Sequence, residues 1–298
     1  MLEFVRNWLE QKRQALAFKF GPRMAEILVW ASTLEARQKL AGSDAIRVLI
    51  DSPIRAHAVT HETAWIDTGT KLWGGVHPIQ TGYMARLPVH SFRNESEDYE
   101  DICYLSALTG LVKAGCMRFL TSSELIAEQE RQPPSRFRTT GYYDFSILDM
   151  VTIDSVDGRN FDYATVSFAI DDAQKHLAKM QRERIAGRGD TLHQAIVEIF
   201  GSEKHSQDAW HLRTAHAYGC QFFLTMDRSL CRLYQQHRDR LNHTGIAVVV
   251  TTPAGLGRRF GVRKVHPYSF SYNNASFPVR SDLHMPGQKR RPSRSRKD

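Results

Sequence analysis

One stretch of the chain, Ser206–Leu230, combines a helix, a tight stop, a buried strand and an acid. Apolar residues recur at helical spacing through its first half, and Gly219 is a residue type that commonly ends a helix. A short apolar β run, 221–225, follows, and Asp227 comes at its carboxyl end. In a parallel α/β sheet this is the end where ligands collect. Since Asp208 lies in the first turn of the preceding helix, the stretch predicts an α/β unit with two carboxylates at one sheet edge.

The residue types and spacing of this stretch resemble the C-terminal half of the PIN-domain nucleases. Their pattern is an Asp that opens a helix, an apolar helix face, Gly, a hydrophobic strand and then Thr-x-Asp-Arg. Here that pattern is matched by Asp208, Gly219, Thr225, Asp227 and Arg228. The resemblance implies a PIN-like α/β/α sandwich with a central, mainly parallel sheet. The alternative is an ordinary α/β unit with a capping Asp and a turn Asp.

A second segment extends the resemblance near the start of the chain. The apolar β run 46–50 ends at Asp51, followed by Ser52. PIN domains carry their first acid at the end of such a strand, followed by a small hydroxyl residue and commonly Asn. Pro53 stands here in place of that Asn, which usually helps to hold the turn around the acid.

A third segment supplies another acid. The run 117–121 predicts a buried strand, and a helix opens directly after it. PIN domains carry a Glu in this helix, and Glu128 fits its position best. Glu124 lies one turn earlier on the same helix face, so it is the alternative.

The resemblance implies metal-dependent hydrolysis of phosphodiester bonds. Several carboxylates in one place repel each other, so a cation is the simplest compensation, and oxygen ligands suit Mg²⁺ or Mn²⁺. Ser52 and Thr225 are expected to support the acids through hydrogen bonds, and Arg228 is expected to contact the substrate. The implied catalytic and metal-binding residues are Asp51, Glu128, Asp208 and Asp227.

Charge and composition indicate the class of partner. The chain carries a net charge of +8, and six Lys and Arg residues stand among its last eleven positions. Such a tail favours a polyanion, with RNA expected over DNA, although a solubilising end is equally compatible. There is no run of 18 apolar residues, no signal-like start and no C-x-x-C pair, so a cytoplasmic protein with no membrane partner is expected.

The chain is long enough for a PIN-like domain with additions. We expect an N-terminal hairpin of two helices over 1–42, separated at Gly21-Pro22, and a PIN-like domain over 43–264. Insertions are expected at about 54–98, as loops or a short hairpin, and at 132–190. A basic tail of low order is expected over 265–298.

Three functions agree with these residues. The first is a metal-dependent endoribonuclease. The second is a PIN-like module that binds RNA without cutting it, and the third is a structure-specific DNA nuclease, because the metal chemistry is shared. A homodimer or an inhibitory protein partner stays open at this stage.

Overall fold

We describe a computed structural model of the chain, which covers residues 2–90, 96–131, 144–158, 173–270 and 291–292. Three short 3₁₀ helices, Ile147–Met150, Glu203–His205 and Pro267–Phe270, accompany the main elements. The α-helices and β-strands in chain order are α1 (Leu2–Ser32), α2 (Leu34–Lys39), β1 (Ile46–Ile50), α3 (Ser52–His57), β2 (Val59–Trp73), β3 (His77–Pro88), α4 (Glu97–Lys113), β4 (Met117–Thr121), α5 (Ser123–Arg131), β5 (Phe145–Ser146), β6 (Ile153–Ser155), α6 (Ala173–Ala186), α7 (Thr191–Phe200), α8 (Ser206–Ala217), β7 (Phe222–Leu224), α9 (Arg228–His243), β8 (Val249–Thr251), α10 (Pro253–Phe260) and β9 (Arg291–Pro292).

A parallel sheet of five strands forms the centre of the molecule, in the order β6-β4-β1-β7-β8. The chain builds outward from β1 through β4 to β6 and then returns to the other side of β1 with β7 and β8. The boundary between β1 and β7 is therefore a topological switch point, where ligands bind in folds of this kind. The α/β prediction with a parallel central sheet is confirmed.

Helices cover both faces of this sheet. Alternate strand residues point to opposite faces, so Val48 and Ile50 join one apolar core while Leu49 joins the other. The first core packs against α4 and α10, and the second packs against α7, α8 and α9. Three layers, helices on a sheet on helices, follow from this division.

The N-terminal helical hairpin expected over 1–42 is corrected by the structure. Helix α1 continues through Gly21 and Pro22, with the proline inside the helix. Proline removes only one backbone donor, and the second half of α1 is anchored beyond it on α4. At that crossing, a Cβ on Gly110 would lie 2.3 Å from Val29 Cγ1, so only glycine allows the two helices to approach so closely. The described residues contain no helix long and apolar enough to cross a bilayer.

The insertion expected at about 54–98 is largely a long antiparallel hairpin of β2 and β3, with β5 paired to β2. Its tip carries Trp73, which is 70% exposed. The second insertion, 132–190, contributes β6 to the edge of the main sheet, so this part belongs to the core fold. Residues 132–143 and 159–172 lie outside the described residues.

The expected tail boundary at 265 is also corrected. Val265 and Phe270 are buried in the core formed on the α4 side, and only 2% of Phe270 is exposed. The folded chain therefore extends at least to Phe270, because these apolar side chains lose contact with water. Beyond it, β9 pairs with β2, and 271–290 and 293–298 lie outside the described residues.

Candidate active site

Two of the predicted acids follow neighbouring strands at the switch point. Asp51 comes directly after β1, and Asp227 comes three residues after the end of β7. The Thr225 hydroxyl links them, because its Oγ1 donates to Asp51 Oδ2 at 2.6 Å and accepts from the Asp227 backbone N–H at 2.9 Å. The parallel register of β1 and β7 thus places both acids and the predicted supporting threonine at one edge of the sheet.

Asp51 is the most enclosed of the four acids, with 6% of its surface exposed. Its Oδ1 accepts from the Ser52 backbone N–H at 2.8 Å and caps α3. Burial raises the pKa of Asp51 to about 7, and the charges of Glu128 and Asp208 act in the same direction. The His211 charge and the Thr225 hydroxyl oppose this shift. Asp51 therefore lies within electrostatic reach of two other acids.

The side chain of Glu128 extends from α5 toward Ser52 and Asp51. Its Oε2 accepts from Ser52 Oγ at 3.1 Å, and its Oε1 lies 3.1 Å from His211 Nε2 and 3.6 Å from an Arg131 Nη2. Burial alone would raise the pKa of Glu128, but His211, Arg131 and Ser52 together hold that pKa below its usual value. Glu128 is thus held ionised by partners from three different elements.

His211 was missed by sequence reasoning. It is 2% exposed, and burial disfavours its charged form, yet Glu128, Asp51 and Asp208 raise the pKa of His211 to about 9. A signal was present, because His211 follows Asp208 by three residues and so lies on the same face of α8. The imidazolium is the buried cation among these acids.

Asp208 and Asp227 complete the group on the outer side. Burial raises the pKa of Asp208, and the charge of Asp227 adds to the rise, while His205 and His211 oppose it. His205 Nδ1 lies 3.3 Å from Asp208 Oδ2. Asp227 is exposed and caps α9, since its Oδ1 accepts from the Ser229 and Leu230 backbone N–H groups at 2.7 and 3.1 Å. All four predicted acids are therefore connected through mutual electrostatic influence.

The alternative acid Glu124 is directed away from this group. Its carboxylate is fully buried and accepts from Gln181 at 2.9 Å, from Arg184 Nη2 at 2.7 Å and from Arg188 Nη2 at 2.7 Å. These partners belong to α6 and to the turn after it. Of the two candidate glutamates on α5, Glu124 and Glu128, the structure brings only Glu128 to Asp51 and Asp208.

The structure places Arg228, the predicted substrate contact, against acids of α4. Its guanidinium pairs with the fully buried Asp101 and lies 3.6 Å from a Glu97 oxygen and 3.8 Å from an Asp98 oxygen. Asp101 Oδ1 also accepts from the Ala254 backbone N–H at 2.8 Å. Arg228 thus ties α9 to α4, and its charge is already compensated.

The acids have the donor chemistry that a hard divalent cation requires. Carboxylate oxygens are the ligands that Mg²⁺ and Mn²⁺ prefer, and burial together with the charges of Glu128 and Asp208 raises the pKa of Asp51. Across the described part of the chain, however, no three or more His, Cys, Asp or Glu side chains are grouped closely enough to hold an ion. The residues fit such an ion by donor type and charge, and their side chains would have to converge on it.

Comparison of the chain with protein-family models, with curated proteins and with solved structures found no match. The resemblance to PIN-domain nucleases therefore depends on the residues and spacings of this chain. Chemically, the switch-point group offers carboxylate oxygens, a buried imidazolium and two hydroxyls at one edge of the sheet.

Proposed function

We propose that this protein is a metal-dependent endoribonuclease that hydrolyses phosphodiester bonds at the carboxylates of the switch point. One observation carries the proposal: Asp51, Glu128 and Asp208 come from three separate elements, and the charges of Glu128 and Asp208 add to the burial that raises the pKa of Asp51 at the carboxyl edge of a parallel sheet. Buried like charges are costly, so a fold that gathers them is expected to use them. Because the metal chemistry acts equally on DNA, RNA is favoured mainly by the resemblance.

Each residue of the site has a distinct task in this proposal. Asp51, Glu128, Asp208 and Asp227 would hold Mg²⁺ or Mn²⁺, which when bound would lower the pKa of a water molecule and offset charge on the phosphate. Ser52 and Thr225 orient Glu128 and Asp51 through their hydroxyl groups. His211 holds Glu128 through Nε2 and keeps a proton on that nitrogen near neutral pH, because its pKa is about 9.

Arginines beside the carboxylates support a polyanionic substrate. Burial lowers the pKa of Arg131, Glu128 and Glu124 oppose this, and the positive charges of Arg184 and Arg182 lower it further. Arg131 therefore stands in a locally crowded group of cations, with Arg182 exposed to solvent. Arg131 and Arg184 already lie against Glu128 and Glu124, so the exposed Arg182 is the member of this group that is suited to contact a phosphate beside the bond to be cut.

A second function, an RNA-binding module without cleavage, is favoured by one observation. His211 and Arg131 already compensate the charge of Glu128, which reduces the need for an added cation. In such a module the acids would stabilise the fold, and RNA affinity would depend on the arginines.

Cleavage of single-stranded and structured RNA with and without Mn²⁺ or Mg²⁺ tests the proposal, with matched DNA strands alongside. Wild-type protein should cut RNA only with the metal, and Asp208→Asn and Asp227→Asn should abolish cutting. Asp154→Asn is the matched control, because Asp154 pairs with Arg118 on the exposed edge of the sheet. If wild-type protein binds RNA but cuts neither RNA nor DNA, and the acid variants bind equally well, the binding module is the better description.

A further inference from the structure

A pocket of about 230 Å³ lies beside the carboxylate site, on the same two helices. Arg55 of α3 and Gln129 of α5 form part of its wall. Arg55 follows Ser52 by three residues, and Gln129 comes directly after Glu128. Since Ser52 and Glu128 belong to the site, the pocket continues the site along the groove between α3 and α5.

The guanidinium of Arg55 lacks a counterion within the described residues. Its Nη1 donates to the neutral Gln129 Oε1 at 2.6 Å, and its Nε is buried with no acceptor. Burial lowers the pKa of Arg55, with no acid raising it. A cation that is desolvated and left unpaired is costly, so an anion at this point would be favourable.

We propose that this pocket binds the phosphate of the nucleotide next to the scissile bond in a single RNA strand. The proposal rests on the nuclease function argued above. The guanidinium presents its remaining N–H donors, and the Gln129 side-chain amide has N–H donors to add, a pairing suited to phosphate oxygens. Leu148 and Val151 supply apolar contact for a sugar. Asp149 also lies in the wall, where its Oδ2 accepts from the Ser146 backbone N–H at 2.9 Å.

The position of Arg55 favours a strand over a free anion. The contacts Ser52–Glu128 and Arg55–Gln129 are successive cross-links between α3 and α5. They lie about one helical turn apart, roughly 5 Å along the axis of α3. A strand whose scissile phosphate lies at the first cross-link would therefore bring its neighbouring phosphate to the second.

Binding of a fluorescein-labelled oligoribonucleotide measures this directly, in the full chain carrying Asp208→Asn so that the strand stays intact. Anisotropy titrations between about 50 and 200 mM salt give both Kd and its salt dependence. Arg55→Met should raise Kd about tenfold and reduce the slope of log Kd against log salt by about 0.7, the value for one phosphate of a single strand. Arg55→Lys should keep the slope but weaken binding severalfold, because lysine lacks the planar fork.

Arg118→Met is the matched control, since Arg118 lies near the amino end of β4 and pairs with Asp154. Its Kd and slope should equal those of the parent. An Arg55→Met protein with the parent's Kd and slope would overturn the proposal. If that variant does not fold, Arg55→Lys decides, and a parental Kd for it would also overturn the proposal. Loss of binding at Arg55 in a protein that never cuts RNA would retain the phosphate pocket and reject the nuclease.

Discussion

Two glutamates on one helix, Glu124 and Glu128, lie in opposite electrostatic surroundings. Glu124 is fully buried, and two arginines and an amide take up its carboxylate. Glu128 faces a histidine, a serine and the acids at the end of β1 and the start of α8. The same residue type, one helical turn apart, is thus part of a closed ion-pair network in one case and of an acid-rich group in the other.

The difference teaches that the neighbours of a compensated acid decide its role: Glu124 pairs only with cations and an amide, whereas Glu128, held by His211 and Arg131, also adds its negative charge to the surroundings of Asp51. Cations match the charge of Glu124, so that network has no need of a ligand. Around Asp51, the nearby cations are the His211 imidazolium and the Arg131 guanidinium, which lies 3.6 Å from Glu128. The nearby anions are the carboxylates of Glu128 and Asp208. An added cation stabilises a site when that site carries more negative than positive charge.

The largest contrast is expected between Glu124→Gln and Glu128→Gln. Glu128→Gln should lower metal-dependent cleavage about a thousandfold, equivalent to about 4 kcal/mol, and should cost less stability than Glu124→Gln, because His211, unlike an arginine, can release its proton when its buried partner is lost. Glu124→Gln should destabilise the fold by about 3 to 5 kcal/mol, because Arg184 and Arg188 lose their buried partner. Urea unfolding and initial cleavage rates, measured on both proteins, give the two quantities. Equal stability losses would show that the two environments do not differ as described.

Much of this arrangement was accessible from the sequence because it is local. A β run ending in Asp51, and an Asp208 that opens a helix before a strand, are patterns within a few residues. Helical periodicity places Glu124 and Glu128 on one face, so the preference for Glu128 came from the resemblance and not from the helix pattern. The choice depends on α6, whose Gln181 and Arg184 lie about 60 residues further along the chain. Similarly, Pro22 predicted a break between two helices. Helix α1 nevertheless continues through it, because its second half packs closely against α4.

Arg228→Ala extends the comparison to a second compensated acid. Removing the guanidinium leaves the buried Asp101 with the Ala254 backbone N–H, so a loss of about 3 kcal/mol in stability is expected. Arg232→Ala, an exposed arginine one turn later on α9, should change stability by less than about 0.5 kcal/mol. RNA binding by both variants, measured under conditions where both are folded, tests the alternative that Arg228 contacts the substrate. A weaker Kd without loss of stability would place Arg228 on the substrate instead.

The surplus charge around Asp51 should appear as a pH dependence of stability in EDTA. Asp51 has a pKa raised from 3.8 to about 7, so its contribution is full below pH 3.8 and is lost as pH rises through 7. His211, raised from 6.5 to about 9, contributes fully below pH 6.5 and loses that contribution through pH 9. Both groups therefore make the free energy of unfolding fall between pH 5 and 9, by several kcal/mol.

Urea unfolding of wild type and Asp51→Asn across this range isolates the Asp51 contribution. The variant should lose stability less steeply between pH 5 and 7, and its loss through the His211 titration should shift to lower pH, because Asp51 no longer raises the pKa of His211. Glu128, whose pKa is lowered, changes charge below pH 4.5 and so outside this window. Parallel curves for the two proteins would contradict the raised pKa of Asp51.

The smallest expected effect separates two tasks of one acid. Asp227 caps α9 through two backbone N–H groups and is also proposed to hold the metal. Asn retains the capping oxygen, so Asp227→Asn should keep wild-type stability, whereas Asp227→Ala should lose about 1 kcal/mol. Both variants should lose metal-dependent cleavage to the same extent, since neither carries the charge. A cleavage loss confined to the Ala variant would assign Asp227 to helix capping and move it, with Glu124, to the structural side of the comparison.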